Sequence, residues 1–417
     1  MPKFDKEVLR LVPAVAFALL THATARADVV TDWNVVATET VFAAGLPPPP
    51  ANRAMAIVQT AVYEAVNAIT KRYPADGVVL IAAPDASIDA AVTAASRAVL
   101  TALVPSQRTA IDAAAQKALS GIPDTPAKDA GIALGEQAAK AVVEMCSDDG
   151  AVAPERYRPV TTAGVYVPTV VPAAPQWPQR RPWVLATPDQ FRPGPPPALG
   201  TNLWARDYNE IKAVGAKNSA IRTPAQTEIA RFWEATAPII YYPVVRSVAN
   251  EPGREVTQNA RLLAVAGQAI DDALIAVFDA KYHYRFWRPF TAIRNGDIDG
   301  NDATERDASW LPLIDTPMHP EYPCAHCIVS GAVGAVLAAE IGNGPTPTLR
   351  SRSPTAPGVE RTWTSVDDFV AEVAVARIYD GVHYRTSTEV GTAMGKKVGA
   401  LAVANALTPP KQRSAGM

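Results

Sequence analysis

Apolar residues return at three- and four-residue steps along most of this chain, the spacing of one buried helical face. Across residues 52–73 the repeating set is Ile57, Val58, Ala61, Val62, Ala65, Val66 and Ile69. Ser106 stands where an N-cap would open an Ala-rich helix over 107–119. Thr125-Pro126 opens another helix, which runs to about Cys146 and is stopped by Asp148-Asp149-Gly150. Thr223-Pro224 repeats the device, and Gln226 completes a capping box for a helix through Phe232 and Trp233. Four longer helical patterns follow, over residues 256–282, 325–341, 365–379 and 389–407.

One stretch breaks the period. Between Pro154 and Pro197 prolines crowd in, Pro168, Pro172, Pro175, Pro178 and Pro182 among them, so regular helix and central strand are both excluded. Tyr166, Trp177, Trp183 and Phe191 lie in the same stretch. A free linker has no use for such side chains, so the segment is expected to lie extended across the helices. The predicted fold is all-α: a helical bundle with a long Pro-rich extended segment. Its expected organisation is a helical region over 28–150, the extended segment over 151–200, and a C-terminal bundle over 201–417. No internal repeat is evident.

Composition narrows the function classes. The 417 residues are 48% hydrophobic and 19% charged, enough for one large or two medium cores. A net charge of −2 gives no global field for nucleic acid or acidic membranes, so strong anion binding must come from a local cluster. Residues 1–27 read as an export signal. Lys3, Lys6 and Arg10 precede an apolar run over 11–20, and Ala25-Arg26-Ala27 offers a small-x-small cleavage pattern. The run is shorter than the ~20 residues of a membrane span, and no later apolar stretch reaches that length, so no integral membrane segment is expected. The mature protein is expected to begin near Asp28, outside the cytoplasm. Cys146, Cys324 and Cys327 are the only cysteines, too few for a disulfide-built scaffold, although Cys324 and Cys327 could pair in an oxidising compartment.

Four of the five histidines, His283, His319, His326 and His383, fall in the C-terminal part among strong cations. Lys281 and Arg288 are seven apart, a spacing that would put both on one helix face, although Pro289 pulls Arg288 out of helical geometry. His319-Pro-Glu-Tyr-Pro323-Cys324-Ala325-His326 is a tight loop entering a helix, whose free N–H groups and positive dipole end suit an anion. Arg377 and His383 flank Gly381, where a helix stop would turn His383 back toward Arg377. The structural alternatives are a solvated cationic face for the first pair, a core histidine at 326, and a surface Arg377–Asp380 pair.

Together, Lys-x6-Arg-Pro, a Pro-x-x-His at a helix start and Arg-x5-His resemble the signature of the type 2 phosphatidic acid phosphatase and vanadium haloperoxidase superfamily. Asp32-Trp33-Asn34, Asn52-Arg53-Ala54, Arg192-Pro193 with the Pro195–Pro197 run, and Arg231-Phe-Trp233 look like its soluble, exported bacterial branch. The resemblance implies that Lys281, Arg288 and Arg377 bind the equatorial oxygens of phosphate or vanadate, with Cys324 and Ala325 in the anion loop. It implies that His383 is the apical group, a phosphohistidine nucleophile or the imidazole ligand of vanadium. His326 would be the general acid/base, and His319 occupies a position near the halide in bromide-oxidising relatives. A small-molecule substrate is implied, peroxide and halide or a phosphoester, and no divalent metal.

Two positions depart from the family. Its loop usually reads Pro-Ser-Gly-His; here Cys324 is a poorer donor than serine, and a thiolate or a Cys324–Cys327 bridge would alter or redox-gate anion binding. The family often places an aspartate four residues after the apical histidine. Here that residue is Ser387, so His383 is expected to be less basic and less firmly set in its tautomer. The leading expectation is a vanadate-dependent haloperoxidase, with a phosphatase as the alternative. An inactive oxyanion-binding protein and a zinc or redox site at Cys324-x-x-Cys327 are the remaining readings.

Overall fold

The structure, a computed structural model, describes residues 28–74, 78–236 and 238–405. The expected export signal lies outside the described residues. Thirteen α-helices and one hairpin are present among the described residues. The N-terminal half carries α1 (Val29–Ala43), α2 (Pro48–Thr70), α3 (Ile88–Leu103), α4 (Arg108–Ser120) and α5 (Pro126–Met145). After the proline-rich stretch come α6 (Asn202–Val214), α7 (Pro224–Phe232), α8 (Pro238–Ala249), α9 (Val256–Tyr284) and α10 (Pro289–Arg294). Then follow α11 (Ala325–Ile341), β1 (Leu349–Ser353), β2 (Ala356–Trp363), α12 (Val366–Tyr379) and α13 (Arg385–Ala404).

Sequence and structure agree where caps and apolar period coincide. The Thr223–Gln226 capping box forms, and Ser365 caps α12 through the Asp368 amide. Ser106 instead sits inside a 3-10 turn, Pro105–Gln107, and α4 starts at Arg108 without a side-chain cap. The antiparallel hairpin was not anticipated: Leu349, Ser351 and Ser353 point inward, and two serines leave no apolar alternation to read.

The 29-residue helix α9 runs through the centre and packs on α2, α11 and α13. Almost every side chain from Thr257 to Lys281 is buried, mostly apolar but with Asn259, Gln268, Asp271, Asp272 and Lys281 among them, so the helix is enclosed on all sides. Helices α11 and α13 approach backbone to backbone: a Cβ on Gly395 would lie 2.1 Å from the Ile328 carbonyl oxygen. Nearer the start of α13 a Cβ on Gly391 would lie 2.7 Å from the Cys324 carbonyl oxygen, and the Cys324 amide donates to the Ser387 carbonyl, which sets the head of α11, with His326, beside the chain just after His383.

The proline-rich stretch lies extended over the bundle, tied down by acids of α9. Arg180 is buried between Asp149 (2.7 Å) and Asp271 (2.6 Å). Asp272 accepts the backbone amides of Trp183, Val184 and Leu185 at 2.7, 2.8 and 3.0 Å. Arg192 forms a two-pronged pair with Asp279 at 2.7 and 2.8 Å. Trp177 and Trp183 are buried in the main core, and Tyr166 is buried where its amide donates to the Arg285 carbonyl (2.7 Å).

Candidate active site

Four segments converge at the C-terminal end of α9. Lys281, in its last turn, is fully buried. The helix stops at Arg285, whose φ of +52° is left-handed, so Arg288 does not share a helix face with Lys281 as the spacing suggested. Arg288 is instead extended, at the start of α10, and Trp287 beside it is anchored in an aromatic cluster with Trp204, Tyr322 and Tyr384. Tyr384 and Tyr322 flank His383 and Glu321, so one aromatic cluster positions three functional segments at once.

The loop before α11, which contains a cis Tyr322–Pro323 peptide, wraps the two cations. Lys281 Nζ donates to the Pro320 and Glu321 carbonyls at 2.9 and 2.7 Å. Arg288 donates through Nε to the His319 carbonyl (2.8 Å) and through NH2 to His319 Nδ1 (3.0 Å). The same Nδ1 stands 3.2 Å from the Pro320 carbonyl. His319 thus holds Arg288 in place.

The helix stop at Gly381, with φ +85°, turns the chain after α12. The His383 amide donates back to the Arg377 carbonyl at 3.1 Å, which brings the two together. Arg377 NH1 donates to the Trp233 carbonyl (2.6 Å) and stands 2.8 Å from Asp380 Oδ2. Both members of that pair are buried, so the surface pair that was the structural alternative is not what forms, and its geometry is ionic contact without hydrogen-bond alignment. Arg377 Nε is buried without a partner.

Burial and mutual repulsion dominate the electrostatics. Lys281 is held well below the usual amine range by burial and by Arg288, and burial lowers Arg288 to about 10. Burial depresses His319, His326 and His383, with further lowering by Lys281 and Arg288 at His319, Arg377 at His326 and Arg288 at His383. Burial raises Glu321 and Asp380 to about 7 against the pull of the cations. Neither Lys281 nor Arg288 has a carboxylate within ion-pair distance among the described residues. Three buried cations against two carboxylates pushed toward neutrality form a charge surplus that fits an oxyanion.

At the head of α11, Cys324 and Cys327 are disulfide-bonded, and Cys324 Sγ accepts the Cys327 amide at 3.2 Å. Cys324 therefore has no S–H to offer an anion, and no thiolate to repel one. Both sulfurs are committed, which removes the zinc reading; no group of three or more His, Cys, Asp or Glu is placed to hold a metal ion among the described residues. Ala325 is an ordinary first helical residue, not left-handed, so it serves in place of glycine without strain. Its amide and that of His326 are first-turn groups that a helix leaves free for an anion. His326 Nε2 donates to the Ala235 carbonyl (3.2 Å), which leaves Nδ1 as the bare nitrogen.

His319, Ala325, His326, Arg377 and His383 line one cavity of about 620 Å³, together with the apolar Trp177, Leu274, Phe278 and Val329 and the acids Glu234 and Asp315. Arg288 touches two of these lining residues, His319 and His383 (NH1 to Nε2, 3.3 Å), and Lys281 is bonded to the backbone of the loop that carries His319. A larger open groove of about 920 Å³, between α1, α8 and the hairpin, contains none of these groups.

Sequence reasoning missed Glu321. Its Oε1 lies 2.7 Å from His383 Nδ1, and the two are 62 residues apart in sequence. Ser387 is buried with an unpartnered hydroxyl, and its carbonyl accepts the Cys324 amide at 3.2 Å. The Pro-Glu-Tyr-Pro string held the only signal, an acid inside an otherwise apolar loop entering a helix.

The family described as the VCPO second helical-bundle domain matches residues 261–410, which contain every predicted site residue. Vanadium chloroperoxidase of Curvularia inaequalis is 28% identical over 259 residues, 46% of this chain and 42% of that protein, so the match spans less than half of the relative's length. Among solved structures, a bacterial vanadium-dependent iodoperoxidase aligns with TM-score 0.78 at 24% identity, over 92% of this chain and 97% of that one. A bacterial vanadium-dependent chloroperoxidase in its apo form aligns with TM-score 0.66 at 16% identity, over 87% and 95%. With the helical-bundle fold, these findings make the chain similar to vanadium haloperoxidases, the sequence likeness of the family model lying in residues 261–410 and the likeness of fold extending over most of the chain. The relatives named in these matches are haloperoxidases.

Proposed function

We propose that this protein is a vanadate-dependent haloperoxidase that oxidises halide with hydrogen peroxide and acts outside the cytoplasm. The observation that carries the reading is the cavity lined by His326, Arg377 and His383, with buried Arg288 touching His383 and buried Lys281 bonded to the loop carbonyls of Pro320 and Glu321 behind it. When bound, vanadate supplies a Lewis-acidic centre that activates peroxide toward halide. The three cations would neutralise its oxygens, and His383 Nε2 would be the protein ligand. The first-turn amides of Ala325 and His326 supply donors that serine and glycine supply elsewhere in the family. His326, held at Nε2 by Ala235, offers Nδ1 to accept a peroxide proton. One further proton is consumed for each halide oxidised to hypohalous acid and water. The Cys324–Cys327 bridge supports an oxidising compartment.

The test uses protein purified without phosphate, loaded with orthovanadate, and assayed for peroxide-dependent halogenation of a phenolic dye with each halide. Turnover is expected, falling at least ~100-fold in His383→Ala and His326→Ala. p-Nitrophenyl phosphate hydrolysis is run in parallel. Hydrolysis that vanadate merely inhibits, with no halogenation, would instead establish a phosphatase.

A further inference from the structure

The apical histidine needs its Nδ1 proton held on one side so that Nε2 presents a lone pair on the other. The residue four positions past His383 supplies no charge, because it is Ser387. The carboxylate comes from elsewhere. We propose that Glu321, from the loop before α11, is the positioning residue that fixes the His383 tautomer and aims Nε2 at the cation cluster. This rests on the haloperoxidase reading only for what the aimed nitrogen binds.

Two independent neighbours demand the same tautomer. Glu321 Oε1 lies 2.7 Å from His383 Nδ1 and also receives the Tyr384 amide at 3.1 Å. As a carboxylate Oε1 can only accept, so Nδ1 carries the hydrogen. On the opposite edge, Arg288 NH1 stands 3.3 Å from Nε2. Guanidinium has no lone pair to offer, so Nε2 is bare.

Glu321 is itself fixed at three points. Its amide donates to the Phe286 carbonyl at 2.9 Å, and its carbonyl accepts Lys281 Nζ at 2.7 Å. Its side chain is fully buried, and Tyr322 next to it is locked in the aromatic cluster. Lys281 and His383 are therefore positioned by one residue, through its backbone on one side and its carboxylate on the other. The buried Ser387 hydroxyl sits beside this carboxylate and favours its charged form, short of a formed hydrogen bond. A serine there leaves room for an acid arriving from the opposite wall.

The first measurement is made on the unaltered protein. In protein labelled with [15N]histidine and free of vanadate, the His383 resonances, assigned against His383→Asn, should show a protonated Nδ1 and a bare Nε2. The opposite tautomer in the unaltered protein would overturn the proposal. Glu321→Ala should shift the ring toward the Nε2–H form and weaken vanadate binding ~10–100-fold, read by ultraviolet titration. Adding Ser387→Asp to Glu321→Ala should restore the Nδ1–H form and recover about tenfold of the affinity, a rescue that a merely structural role for Glu321 would not give. Glu321→Gln, which keeps shape and an acceptor oxygen, should retain the tautomer with a smaller affinity loss, and this serves if the alanine variant does not fold. Unchanged tautomer and affinity in Glu321→Ala would sink the idea. A tautomer shift in protein that shows neither halogenation nor vanadate binding would leave the positioning role standing and defeat the haloperoxidase reading.

Discussion

At Lys281, Arg288 and Arg377 the chain holds charges that burial makes expensive and repulsion makes more so. Carbonyl oxygens of Pro320, Glu321, His319, Val382 and Trp233 partly compensate them, and an oxyanion would complete that compensation. Cysteine chemistry at this scale is equally specific. Cys146 is buried, and burial pushes its thiol up to about 12, so the native thiol stays protonated at pH 8. Native protein is expected to give no fast thiol with Ellman's reagent, one after unfolding and three after unfolding with reduction. Three thiols after unfolding without reduction would show that the Cys324–Cys327 bridge is absent. The linkage sign follows from the same shift. Above pH 9 the unfolded chain releases the Cys146 proton while the folded one keeps it, so stability falls between pH 9 and about 12, a loss that Cys146→Ala should reduce.

Among the elements, α9 carries two duties. One end delivers Lys281, and its middle presents Asp271, Asp272 and Asp279 to the proline-rich segment. Prolines lack amides and cannot build a ladder, so side-chain acids replace strand partners in holding that backbone. Asp272→Ala would strip three amides of their acceptor at once. We expect a loss of about 3 kcal/mol in denaturant-derived stability, with proteolytic cutting appearing near residues 183–185. Undiminished stability would show that those amides find water instead. The helix α7 was legible because a capping box and the apolar period marked the same boundary, and α11 and α12 were legible from the apolar period. Arg288 was only half legible: Pro289 foretold a break, but the left-handed Arg285 that ends α9 earlier carries no glycine to announce it. The hairpin was illegible, since one face of β1 is buried through serines.

Over the whole molecule, α9, the Arg288 segment, the loop before α11, and the α12–α13 turn all enclose one site, so ligand binding should stabilise the entire fold. Vanadate at 100 times its Kd should add about 2.7 kcal/mol, raising Tm by a few degrees. Arg377→Ala should abolish that rise, which differential scanning fluorimetry would read, and a rise of equal size in the variant would mean that the anion binds elsewhere. The sequence by itself determined the helical class, the extended course of the proline-rich stretch, and the identity of the cations and histidines. These follow from apolar period, proline chemistry and ordered motif spacing, all of which are local. Tertiary structure alone decided that Glu321 meets His383, that Arg377 and Asp380 are a buried pair, and that Cys324 is bonded to Cys327. The first joins residues 62 apart; the other two join residues three apart, whose burial and bonding depend on what packs around them. A carboxylate's partner and a charge's burial are set by which surfaces meet in three dimensions, and one chain read along its length carries no record of that meeting.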